Sequence, residues 1–110
     1  MIVEYIRYSL GTHTPGELME AYAAAGAFLS AAPECLGFEL TQCAEDAQAF
    51  VLRIEWTSAD GHLLGFRKGP HFPPFLAAIR AFVPEISEMR HYHVIPSVAW
   101  TRAPHGGGSG

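Results

Sequence analysis

The sequence predicts an α+β domain that runs β-α-β-β-α-β, and three observations carry that reading. Apolar residues alternate with polar ones in several short segments rich in β-branched and aromatic side chains. A Thr14-Pro15-Gly16-Glu17 start precedes an alanine-rich stretch whose apolar residues recur at helical spacing. Two of the alternating segments are joined by a short polar link, as in a hairpin.

Residues 1–10, MIVEYIRYSL, form the first strand, bounded by Gly11. Thr14 then caps a helix, Pro15 takes its first position and Glu17 completes a capping box. Leu18, Tyr22, Ala25 and Leu29 share one helical face, with Ala21 and Phe28 beside them, and Pro33 ends the helix. The second strand covers residues 35–43, with Leu36, Phe38 and Leu40 on one side. AEDAQ is the turn, and Phe50, Leu52, Ile54 and Trp56 alternate along the third strand. Ser58-Ala59-Asp60 caps a short helix bearing Leu63, Leu64 and Phe66. Gly69-Pro70 breaks it, and Pro73-Pro74 starts another that carries Phe75, Ile79 and Phe82 to Pro84. Residues 85–95 form the last strand, which Pro96 ends. SVAWT is a short extension and HGGGSG a flexible tail. Residues 1–96 are thus one domain and residues 97–110 an extension.

Right-handed crossovers turn this order into a ferredoxin-like domain, a four-stranded antiparallel sheet with helices on one face. Alternation leaves either Val3 and Tyr5 or Ile2 and Ile6 on the uncovered face, together with Val51. An apolar sheet face of that kind calls for a partner, and a two-fold dimer with sheets packed face to face is the simplest one.

Composition narrows the function. The 110 residues carry a net charge of −4, and the seven Lys and Arg are scattered, which argues against nucleic acid as a partner. Glu4 and Arg7 interrupt the first apolar stretch, so it does not read as a signal segment, and no apolar run is long enough to span a membrane. Cys35 and Cys43 on one extended strand stand about 26 Å apart, too far for a disulfide. Buried free thiols fit a reducing, cytoplasmic compartment.

The opening IVEYIRY, the helix with AYxxA, the hairpin strands CLGFEL and FVLRIEW, the W-x-S step running into GHLLGFRKGPHF, and the closing EMRHYHV together resemble the antibiotic biosynthesis monooxygenase family of dimeric α/β barrels. The likeness spans about residues 1–95. It implies a homodimer with a pocket between sheet and helices in each subunit. It also implies oxidation of a small phenolic or hydroquinone-type aromatic with dioxygen, and no metal, flavin or other cofactor. Family members use a tryptophan at the W-x-S step, matched by Trp56, and a Pro-His-Phe step, matched by Pro70, His71 and Phe72. The chain has no asparagine, which the haem-degrading branch and some quinone-forming members use. Phe66 also stands near the place of the haem-degrading branch's histidine. Haem binding is therefore the weaker expectation.

On the residues themselves, Trp56 offers a flat aromatic wall and a fixed indole N–H donor. His62, six residues on, lies near a helix N-terminus, where the dipole disfavours an imidazolium. It is the expected base that removes a phenolic proton, because dioxygen needs an electron-rich anion as its partner. His71 is the reserve base. Phe66, Phe72, Phe75 and Leu52 line the substrate pocket or fill the core. His91 and His93 share a strand face and could hold a metal with a third ligand, but a polar lining or dimer contact is preferred. Arg7, Arg53, Glu4, Glu39, Glu55, Glu88 and Arg90 are expected to pair across strands. The alternative to an enzyme is a barrel of the same shape that binds a small molecule or partner without catalysis.

Overall fold

A computed structural model describes residues 1–103. Strand β1 (Ile2–Ser9) leads to helix α1 (Pro15–Ala31), then to the hairpin β2 (Cys35–Gln42) and β3 (Ala49–Trp56). A single wide helical turn (Gly61–Phe66) precedes helix α2 (Phe72–Ile79), which tightens into a 3₁₀ segment (Arg80–Glu85) before β4 (Ile86–His93). The four strands lie in the order β2-β3-β1-β4, all neighbours antiparallel, and the helices cover one face. This is the ferredoxin-like architecture.

The local signals act as their chemistry requires. Glu17 N–H donates to Thr14 Oγ1 at 3.2 Å, and Thr14 N–H donates to Glu17 Oε1 at 2.8 Å, a complete capping box. Leu18, Tyr22, Ala25 and Leu29 form the buried face of α1. Gly26 lets that helix press on β2: a Cβ there would stand 2.7 Å from the ring of Phe38. Pro84 cannot donate to an α-helical ladder, so the chain after Ile79 runs as 3₁₀ and turns into β4.

The register fixes which side chains look where. Ile2, Glu4, Ile6 and Tyr8 share the covered face with Phe50, Leu52, Ile54 and Trp56. Val3 and Tyr5 therefore take the uncovered face, with Val51 and Tyr92. That face is mixed: Arg7 pairs with Glu88 at 3.3 Å, Arg90 with Glu88 at 2.9 Å, and Arg53 with Glu55.

Several expectations are corrected. A register shift between Cys35 and Gly37 turns Leu36 outward, although Phe38 and Leu40 keep the predicted side. Leu63 and Leu64 are exposed, and only Phe66 of the three apolar residues there is buried. Both cysteines are free, but Cys43 is exposed and Cys35 half-buried, because β2 ends at Gln42 and leaves Cys43 in the turn. Residues 96–98 form a 3₁₀ turn, and the Gly-rich tail lies outside the described residues. Among the described residues no helix is long and apolar enough to cross a membrane.

Candidate functional site

A carboxylate stands among the apolar residues of the covered face. Glu4 shares the parity of Ile2, Ile6 and Tyr8, and only 2% of its surface is exposed. Pairing of β1 with its two neighbours sets Ile54 on one side of it and His91 on the other. Trp56, at the end of β3, is fully buried, and its indole Nε1–H donates to Glu4 Oε1 at 3.0 Å.

The wide turn supplies the third group. His62 N–H donates to the Ser58 carbonyl at 3.1 Å, but the Arg67 N–H reaches back five residues to the His62 carbonyl at 3.1 Å. Such π-type turns recur at functional sites. Ser58 Oγ accepts the Gly61 N–H at 2.9 Å and starts the turn. Gly65 lets it lie against Glu34, whose side chain would stand 2.6 Å from a Cβ at that position. His62 and Phe66, four residues apart, are thereby driven inward while Leu63 and Leu64 face out.

The His62 ring packs 4.6 Å from Trp56 and 4.8 Å from His91. Its Nδ1 lies 3.7 Å from Glu4 Oε1, and His91 Nε2 lies 3.5 Å from Glu4 Oε2. Both separations exceed ordinary hydrogen-bond length. His62 Nδ1 is sealed from solvent without a hydrogen-bond partner. A cavity of about 270 Å³ opens beside these rings, lined by Ile2, Ala59, His62, Leu63 and His91. Apart from the two imidazoles its walls are apolar.

Burial disfavours charge on both central groups. It lowers the His62 pKa to about 4, with His91 and Arg67 adding like-charge repulsion, so the ring is neutral at neutral pH. Burial also pushes the Glu4 carboxyl up, against the opposing pull of the Trp56 hydrogen bond, His91 and Arg67. One donor atom from each of Glu4, His62 and His91 lies within 4.8 Å of the others, so these three are the residues here that could hold a metal.

The model of the antibiotic biosynthesis monooxygenase family matches residues 1–78, which hold Glu4, Trp56 and His62. The chain belongs to this family. Several solved structures share its fold. SnoaB, a cofactor-independent oxygenase from Streptomyces nogalater, is 21% identical with a TM-score of 0.66, over 94% of this chain and 97% of that one. A candidate antibiotic biosynthesis monooxygenase from Bordetella bronchiseptica is 20% identical with a TM-score of 0.69, over 86% and 96%. Another from Deinococcus radiodurans is 10% identical with a TM-score of 0.70, over 93% and 100%. No curated protein matches the chain.

Within this family fold the sequence-predicted residues part company. His62 is in the cavity wall. Trp56 stands behind it, its N–H committed to Glu4. Leu52 and Phe75 are core residues, and Phe66 packs between Trp56, Phe72 and Phe75. Phe72 lines a second cavity of about 170 Å³ with Arg67, Tyr8 and Met89. His71 is half-buried at the N-cap of α2 and does not line the cavity beside His62. His93 does not join His91 in the cluster, which draws instead on Glu4 and His62. Sequence reasoning missed Glu4 as a site residue. The signal was present in its strand parity: it is the one charge in phase with Ile2, Ile6 and Tyr8.

Proposed function

We propose that this chain is a cofactor-independent monooxygenase that oxidises a small phenolic or hydroquinone-type aromatic with dioxygen. It would act as a cytoplasmic homodimer whose domain is residues 1–96, with residues 97–110 an extension. The observation that carries the reading is a neutral, buried imidazole in the wall of an apolar cavity, backed by a buried carboxylate.

His62 turns Nδ1 toward Glu4, which leaves Nε2 as the nitrogen available to a substrate hydroxyl. A carboxylate behind the ring favours the tautomer with its proton on Nδ1 and stabilises the imidazolium that forms when Nε2 takes a proton. The resulting phenolate gives one electron to dioxygen, and recombination with superoxide puts a peroxide on the ring. Loss of water from that peroxide gives a quinone, so one oxygen atom enters the product and the other leaves as water. The apolar walls suit a planar ring, and the cavity's size suits a small one.

Oxygen uptake with a panel of phenols and hydroquinones tests this. We expect turnover that His62→Ala lowers by about 10²–10⁴-fold, while His71→Ala, outside the cavity wall, changes it far less. Absence of oxygen uptake with every substrate would leave the alternative of a non-catalytic binding barrel, and an unaltered rate in His62→Ala would remove His62 as the base. Light scattering at micromolar protein tests the dimer, with a monomer as the contrary result.

A further inference from the structure

The cluster around Glu4 contains more coordinating power than proton abstraction needs. We infer that Glu4, His62 and His91 form a binding site for one divalent first-row transition-metal ion. The inference rests on the donor atoms alone and does not need the oxygenase reading, although both use the His62 ring.

Two imidazole nitrogens and one carboxylate are the donor set of many zinc and non-haem iron sites. Donors about 2.0–2.1 Å from a tetrahedral ion stand roughly 3.4 Å apart. Here His91 Nε2 and His62 Nδ1 lie 3.5 and 3.7 Å from the two oxygens of Glu4. That is too far for direct hydrogen bonds and near the spacing of two ligands on a shared ion, although one donor atom from each of the three residues spans up to 4.8 Å, so the side chains draw closer together when the ion binds. The His62 side chain is 7% exposed, and its Nδ1 has no partner in an interior where such groups are nearly always satisfied. A cation placed between the rings would satisfy that nitrogen and the buried carboxylate together.

The surroundings match a metal site in two further respects. Trp56 Nε1–H fixes Glu4 from behind, the kind of outer hydrogen bond that orients a ligating group. The cavity lined by His62 and His91 leaves a side of the ion open to water or a small ligand. Hard ions such as Mg²⁺ want oxygen donors and several waters, which two imidazoles do not offer. An ion on Nδ1 would leave the ring proton on Nε2, so a loaded site has no base to present to the cavity.

Cobalt(II) is the probe, read by its visible ligand-field absorption and by calorimetry on chelator-treated protein. We expect one equivalent per chain, displaced by Zn²⁺ and not by Mg²⁺. His62→Ala and His91→Ala each weaken binding by at least about 100-fold, and Trp56→Phe weakens it about 10–100-fold through its effect on Glu4. His93→Ala leaves affinity unchanged. Circular dichroism confirms that each variant is folded. Binding that survives in both His62→Ala and His91→Ala, or no one-to-one binding at all, overturns the site. So does a loss in His93→Ala equal to that in His91→Ala, which would move the ion to the strand pair. Each readout is independent of turnover, so failure here leaves the oxygenase reading to its own test.

Discussion

Tyr8 and Glu4 lie on the same face of the same strand, both buried, yet they have opposite surroundings. Tyr8 is 1% exposed, and its hydroxyl shares a hydrogen bond with Tyr22 across the core. Burial pushes both phenols up, which leaves both protonated and neutral, with one hydroxyl donating to the oxygen of the other. Four residues away, Glu4 has the indole as its one hydrogen-bond donor, and two imidazoles stand near without bonding it. One end of the covered face is a closed polar pair inside a core. The other holds a buried carboxylate and a buried imidazole with fewer hydrogen bonds than their burial calls for, beside the more exposed His91 and a cavity. Buried polar groups left short of partners lower stability, and their concentration at one end of β1 is the cost that the function proposed for that end would offset.

The largest effect should come from breaking the closed pair. Tyr22→Phe removes one hydroxyl and leaves that of Tyr8 buried without its partner. We expect a loss of about 1–3 kcal/mol in urea unfolding. The double variant Tyr8→Phe with Tyr22→Phe should recover much of it, since neither hydroxyl then remains to be satisfied. A double variant as unstable as the sum of the two singles would show that the pair is not a unit.

The contrary sign is expected at the other end. Glu4→Gln keeps the shape and an acceptor for the Trp56 N–H, but removes a charge that burial disfavours. The folded pKa of Glu4 lies above its unfolded value, so the ionised group lowers stability above the folded pKa, and that penalty disappears as pH falls. Glu4→Gln should therefore stabilise the protein at pH 7 by about 1 kcal/mol, with a gain that shrinks on acidification. A lower melting temperature for Glu4→Gln at neutral pH would mean that the carboxylate is a structural group and that the two ends do not differ in kind.

The fold was legible because its signals are local. Thr14 and Glu17 announce α1, and the alternation of Phe50, Leu52, Ile54 and Trp56 announces the covered face of β3. The site was only half legible. His62 stands out as a histidine in phase with Phe66 on a short helix. Its partner Glu4 is 58 positions away and His91 another 29 on, and only the register of β1 with β4 brings these two side by side. The wide turn hid the exposure of Leu63 and Leu64, because an ordinary helical period assigns faces differently from a π turn. The register shift between Cys35 and Gly37 likewise cannot be read from alternation, which places Leu36 with Phe38 while the structure turns it outward.

The smallest expected effect concerns how the closed end is fastened. Glu85 accepts the backbone N–H groups of Gly11 and Thr12 at 2.7 and 2.8 Å, and its other oxygen pairs with the His13 ring. That ring packs 4.4 Å from Phe82, so one carboxylate ties the β1–α1 loop to the segment before β4. The His13 pairing, followed by these backbone donors, lowers the Glu85 pKa to about 2. A depressed carboxylate contributes stability above its unfolded pKa of 4.5 and loses it as pH falls through about 2. The wild type should therefore melt above Glu85→Gln at pH 6, and the gap should narrow steadily between pH 4.5 and 2. The His13 and Glu85 side chains are only 25% and 10% exposed, so added salt should narrow the gap only slightly. A gap that stays constant across that range would assign the fastening to the backbone hydrogen bonds alone, since a glutamine oxygen can accept those at any pH.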